Sequence, residues 1–299
     1  MTTIDDLRQQ LEDLYLEPVI EETPSVPLAL DVNSSTDTIK LTDGVLSPDD
    51  ESAVAPGRLL EMNYELSRIL DYDASIKEVT VRRGVRGTEA TSHTAATTDV
   101  RFPTRWPRTT QASALREAIG ALWQPLFIEA QQVVPASAAS MIQLPLNVVR
   151  IISVRYQRAA GDWPYATFEF FPTHPLDPAF SHLELGPLGK QQRALVSIVY
   201  GKRLETPDDN FTDLDTYPEK WNRIILADAA ASLLAGVDID SSTQEYLTEQ
   251  LRLERFPVKS GASISQNLVR FREYLVEEAA KDLEAGRPRD VERVSISLV

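Results

Sequence analysis

Residues 218–240 read PEKWNRIILADAAASLLAGVDID, and this stretch decides the fold. Pro218 suits a first helical turn, because the N–H it lacks is one a helix leaves unpaired there. Trp221, Ile224, Ile225, Ala229, Ser232 and Leu233 then recur at helical spacing, and Gly236 ends the run. Ala229, Ala230 and Ala231 form a thin face that lets another helix approach closely. A second helix is expected over 242–255, closed by Pro257. A third begins near Ser263, with Ile264, Leu268, Phe271, Leu275, Ala279 and Leu283 on one stripe and Gly286 and Pro288 at its end. The expected helix-packing residues are Trp221, Ile225, Ala229, Leu233, Leu268, Phe271 and Leu275. Residues 287–299, RPRDVERVSISLV, follow as a polar bridge and a strand-like run. An unpaired terminal strand is a ready partner for another chain's sheet edge.

Outward from this helical unit, the chain reads as a mosaic. Residues 3–16 predict one short helix, with Ile4, Leu7, Leu11, Leu14 and Tyr15 on a face. It is too short to stand alone and must dock on its own body or on a partner. The stretch EPVIEETPSVPLALD is acidic and broken by prolines, which predicts an extended arm. From about Ala29 to Phe102 the signals are β: DTIKLTDG, two short strands within RLLEMNYELSRILDYD, the strand KEVTVRRG, and a resumption at Val100 and Phe102. Residues 109–127 carry a helical stripe of Ala112, Leu115, Ala118, Ile119, Leu122 and Trp123, ended by Pro125. From Val133 the strands MIQLP, NVVRIISVRYQ, ATFEFF and ALVSIVYGKRL predict a compact antiparallel sandwich or barrel, with a bulge near Ile151. The segment HPLDPAFSHLELGPLGKQQ reads as a loop rich in Pro and Gly.

Composition bounds the chemistry. The chain has 299 residues, is 42% hydrophobic and contains no cysteine. Thiolate chemistry, disulfides and cysteine-based metal sites are therefore excluded. No apolar run approaches a membrane span, and the acidic, amphipathic start is unlike a secretory signal. The formal net charge is −15, and thirteen acidic side chains against two basic ones precede Gly57. General attraction to nucleic acid is not expected, although an acidic wall suits a channel through which DNA slides. Against that background Arg82, Arg83, Arg86, Arg101, Arg105 and Arg108 form a local basic cluster. Arg82, Arg83, Arg86 and Arg105 are the candidates for DNA phosphates or for contacts between subunits. A solvated face or ion pairs are the plainer reading.

No nucleotide-binding loop, hydrolase elbow, zinc-protease helix or dinucleotide fingerprint occurs. His93 has no second histidine nearby and reads as structural. His174, Asp177 and His182 lie in one stretch but lack metal-site spacing. Asp208, Asp209, Asp213 and Asp215 lack the glycine and terminal glutamate of an EF-hand loop. The expectation is a protein that is not an enzyme and holds no cofactor or metal.

Two patterns resemble a known family. The first is the order of an alanine-rich helix opening on Trp221, an acidic turn, FPVKSGAS (256–263), a long amphipathic helix and an extended tail. It resembles the head–tail connector, or adaptor, proteins of long-tailed bacteriophages. The second is the cassette "strand, RG-x-x-GT-x-A-x-x-H, strand", matched by Arg83, Gly84, Gly87, Thr88, Ala90 and His93, which resembles small β-domains of phage connector and tail proteins. The resemblance implies a ring, dodecameric in that family, set between the portal protein and the next neck or stopper protein. Double-stranded DNA would pass through it without sequence specificity. It implies a tail that docks on the portal or a neighbour through Arg287, Arg289, Val291, Arg293, Val294, Ile296, Leu298 and Val299. It places the protein in the virion, at the head–tail junction, assembled in the host cytoplasm and away from membranes.

The expected fold is therefore α+β. A helical adaptor-like unit (207–286) joins two antiparallel β-domains, a small barrel or sandwich at 27–108 and a sandwich at 131–206. A helix at 109–130 links them, and an N-terminal helix and arm (1–26) and a docking tail (287–299) extend beyond. The alternatives are a minor tail or baseplate protein and, in another class, a carbohydrate-binding or glycan-degrading tail component using Trp106, Trp163 and Tyr165.

Overall fold

The structure is a computed structural model. It describes residues 2–16, 25–42, 54–95, 97–103, 105–122, 126–135, 141–157, 161–172, 180–186, 195–206, 214, 218–235 and 263–285. The expected helix at 242–255, the docking tail at 287–299, Trp123, His174, Asp177 and the aspartates 208–215 lie outside them.

The fold is α+β and has three apolar cores. The first is helical. Helix α1 (Ile4–Leu11) starts on a capping box: the Thr3 hydroxyl accepts the Asp6 N–H at 3.0 Å, and the Asp6 carboxylate accepts the Thr3 N–H at 2.8 Å. Ile4, Leu7 and Leu11 are fully buried. The chain then widens into one π-helical turn, Glu12–Leu16. The wider turn shifts the face, so Leu16 is buried and Leu14 stays 44% exposed. This corrects the expectation for Leu14, whereas Tyr15, on the same expected stripe, is buried. The short helix docks on its own body, against α2 (Arg108–Ala121) and α3 (Trp221–Leu234).

Helix α3 is the axis of this unit. Trp221, Ile225, Ala229, Ala230, Ala231 and Leu233 are all buried, because α1, α2 and α4 (Ser263–Ala285) each cover part of it. The small alanine face permits that approach, and the Ser265 hydroxyl donates to the Ala231 carbonyl at 2.8 Å across it. Leu268 and Phe271 of α4 are buried and Leu275 packs half-buried on the same core.

The second core lies in a six-stranded antiparallel sheet, in the order β1 (Ser25–Pro27), β6 (Asp99–Arg101), β3 (Leu59–Met62), β4 (Glu65–Asp73), β5 (Glu78–Arg82), β2 (Thr38–Lys40). An antiparallel bridge between Leu28 and Leu41 joins the chain just beyond β1 to the chain just beyond β2, so the sheet's two edges meet as in a small barrel. Ser25–Pro27 was expected in an unpaired arm. It is instead an edge strand, which prolines tolerate because an edge leaves alternate N–H groups unused. Asn63, at φ 53°, makes the tight turn between β3 and β4.

The third core joins two three-stranded antiparallel sheets. One has the order β7 (Ile128–Pro135), β12 (Leu195–Lys202), β9 (Val148–Tyr156); the other has β10 (Phe168–Phe171), β11 (Ser181–Leu185), β8 (Met141–Leu144). Val154, Leu183, Val196 and Ile198 fill the space they share. The register between β12 and β9 slips after Val199 and skips Ile152, where a bulge near Ile151 was expected. Two expectations fail here. Residues 181–185, taken as part of a loop, form the central strand of a sheet. Strand β7 also begins at Ile128, earlier than the boundary at 131 and the β signal at Val133. Among the described residues no helix is long and apolar enough to cross a membrane.

Candidate functional site

The cassette loop between β5 and β6 lies over one end of the barrel. Gly84 (φ 62°) and Gly87 (φ 82°) take left-handed turns, and a Cβ on Gly84 would meet the Thr88 carbonyl oxygen at 3.1 Å. These turns carry the chain back, so that Arg83 and His93 converge on Glu65 at the start of β4. The Glu65 side chain is 1% exposed. Arg83 donates to both its oxygens, from Nε to Oε1 at 2.6 Å and from an Nη to Oε2 at 2.5 Å. The Thr91 N–H and His93 Nε2 each stand 2.9 Å from Oε2. Burial pushes the Glu65 carboxyl up, but these hydrogen bonds outweigh it and hold it at about 2. The remaining Arg83 donors reach the carbonyls of Asn33 and Thr91. One guanidinium thus ties two loops to the sheet.

The loop and the polar face of α2 enclose a cleft of about 880 Å3. Tyr64, Thr88, Thr91, Ser92, Thr109 and Ser113 line it with hydroxyls, and Arg86 and Arg116 stand among them. His93 and Glu65 form part of the same wall. Glu65 is buried, ionised and saturated with donors, so the pair acts as a tie, and Glu89, exposed, is the other carboxylate on the cleft's lining. Among the described residues no group of three or more His, Asp or Glu is placed to hold a metal ion.

A second polar cluster joins the barrel to the helices. Tyr64 donates to Asp5 at 2.7 Å, and Arg8 bonds Asp5 at 3.0 Å and Glu12 at 2.6 Å. Arg101 reaches Glu12 at 3.0 Å. Glu61, 1% exposed, accepts the N–H of Arg108 at 2.7 Å, capping α2 where Pro107 offers no side chain.

The expected arginine cluster divides: Arg101 and Arg108 come together near Glu61, and the others are placed separately. Arg82, the last residue of β5, points to solvent, whereas Arg83, just beyond the strand, is consumed inside. Arg86 is exposed at the cleft, and Arg105 is exposed and lies 5.6 Å over the Trp106 ring. Of the three aromatics named for carbohydrate, Trp106 packs on the helical core. Trp163 lines a 240 Å3 recess with Gln131, Val133, Arg155 and Ser197, and Tyr165 stacks beside it under Arg155 at 4.5 Å. His182 is buried on β11. Sequence reading missed Glu61, Glu65, Asp5 and Glu12. The available signal was an acid at an inward strand position, as at Glu65 beside Ser67 and Ile69. No family model matches the chain, and no curated protein matches it.

Proposed function

We propose that the protein is a structural virion component, a head–tail connector whose copies form a ring between the portal and the next neck protein. The observation that carries this reading is how the polar groups are used. The buried Glu65–Arg83–His93 cluster and the partly exposed Asp5–Arg8–Glu12–Arg101 cluster spend their polar groups on holding loops and bodies together. A helical unit and two β-bodies, each with its own core, supply several surfaces for repeated contacts, which suits assembly. In this reading α3 and α4 form the ring-building unit, residues 287–299 dock on a neighbour, and DNA passes without sequence-specific contact.

The test is the mass of the purified protein together with negative-stain images of the protein and of particles. A ring, or a monomer found only at the head–tail junction, is expected. A monomer or trimer at the tail tip would favour a minor tail or baseplate protein. A glycan-binding tail component is the second reading, favoured by the Trp163 recess with its Arg155 and Gln131 donors. Binding to a glycan array that is lost in Trp163→Ala would select it.

A further inference from the structure

Sheet borders decide where another chain can add a strand. The barrel closes on itself through the bridge between Leu28 and Leu41. In the sandwich, the chain at 164–166 takes the outer side of β9: the Tyr156 N–H donates to the Pro164 carbonyl at 3.1 Å, and the Ala166 N–H to the Val154 carbonyl at 2.9 Å. Strands β8 and β10 border the other sheet over only four residues each. Strand β7 is different. It runs eight residues, pairs with β12 along its whole length, and has no strand on its other side among the described residues. In an antiparallel ladder every second residue turns its N–H and C=O away from the neighbour, so β7 presents a row of such groups. Folded proteins guard such an edge with charges, prolines or bulges. Here Glu129 and Pro135 stand near the two ends, and residues 130–134, AQQVV, carry neither charge nor proline.

The two faces of β7 differ. Glu129, Gln131 and Val133 are exposed, whereas Ala130 and Val134 lie half-buried at the border of the sandwich core. The end of the chain repeats that alternation: Val294, Ile296 and Leu298 are apolar, and Ser295 and Ser297 between them are polar. We propose that residues 294–299 of a neighbouring copy add to β7 as a fourth strand of the β7–β12–β9 sheet. This rests on the reading of 287–299 as a segment that docks on a neighbour, and it names the surface that receives it. Laid beside β7, Val294, Ile296 and Leu298 cover Ala130 and Val134 and extend the core, while both serines face water with Gln131 and Val133. A slip of one residue reverses both faces, so the pairing has a register. Main-chain hydrogen bonds supply the affinity, and the alternation supplies the specificity. The bridge at 286–293 reaches up to about 28 Å when extended, which carries the run beyond the end of α4.

The test is hydrogen exchange of the full chain, read over β7 and, as a reference, over β9. At concentrations where copies associate, β7 should be protected in the parent, and dilution to monomers should remove that protection. Ile296→Lys puts a charge on the core-facing side of the added strand and should speed β7 exchange by roughly tenfold or more. Ser297→Lys, on the water-facing side, should leave it as in the parent. A peptide of residues 287–299 in excess should restore protection to Ile296→Lys, and a peptide carrying the same substitution should not. Equal β7 exchange in the parent and Ile296→Lys, protection that survives dilution, or no restoration by the peptide overturns the proposal. Particle images keep this apart from the connector reading. A ring at the head–tail junction whose β7 ignores Ile296→Lys overturns the acceptor alone. Protection of β7 that follows Ile296 in a protein absent from particles supports the acceptor and overturns the connector.

Discussion

Arg83 does at one residue what a loop cannot do for itself. The segments at 31–36 and 86–93 are mostly polar in sequence, the buried Val32 apart, and the guanidinium fork fixes both to the Glu65 carboxylate. Arg83→Met would strand an ionised, buried Glu65, and breaking such a pair costs about 3–5 kcal/mol. A urea melt should show that loss, whereas Arg82→Met, on the solvent side, should change stability by less than about 0.5 kcal/mol. The pH dependence follows from the same bonds. The Glu65 carboxyl sits at about 2 when folded, below its ordinary 4.5. Its contribution is fully present above about 4.5 and is lost as pH falls toward 2. Thermal melts of the parent should decline in that window, and Glu65→Gln should be less stable at neutral pH but flatter below it. The sequence made the cluster of arginines visible but not their fates. Arg82 ends β5 and Arg83 follows it, and which of the two neighbours turns inward depends on which face the barrel closes over and on where the strand stops. Glu65 and Glu61 were hidden because a single acid in an apolar strand has the same appearance whether it is buried and paired or solvated.

At the level of elements, patterns of long range in the chain were legible and short ones were not. Helix α3 and its alanine face could be read because fourteen residues repeat one period. Strand β11 could not, because its five residues SHLEL sit between proline- and glycine-rich flanks that outweigh its alternation. The helical reading makes a prediction. Ala230 is fully buried at the helix crossing, so Ala230→Trp should destabilise the helical unit by about 1–3 kcal/mol or more through overpacking. An unchanged melting curve would mean that this face is open. The sandwich offers a matching test. Phe127 lies over Gly201 of β12, where an added Cβ would come within 2.4 Å of the ring, and the Arg150 guanidinium stands 4.9 Å from the same ring. Gly201→Ala should therefore cost about 1–3 kcal/mol, and Phe127→Leu in the same chain should recover part of it. Denaturant midpoints of the single and double variants measure both effects.

At the scale of the whole molecule, the described residues form three cores: Tyr64 of the barrel and Ile128 and Leu204 beside the sandwich pack on the helical one, and α1 with its π-helical turn ties the helical core to the barrel. Ile4, Leu7, Leu11, Tyr15 and Leu16 belong to the helical core, while Asp5 and Glu12 hold Tyr64 and Arg101 of the barrel. Burying five such side chains is worth on the order of 10 kcal/mol before the cost of ordering the segment, which offsets most of it. The net docking energy is then a few kcal/mol, concentrated in the helical unit. Removing residues 2–16 should lower the melting midpoint of the helical signal by several degrees and leave the β signal nearly unchanged, since the barrel and sandwich keep their own cores. Circular dichroism read at helical and β wavelengths checks this, and a synthetic peptide of residues 2–16 added in trans should restore part of the lost midpoint. If instead both signals fall together, the bodies are coupled through contacts other than α1, and its role as the bridge between them is wrong.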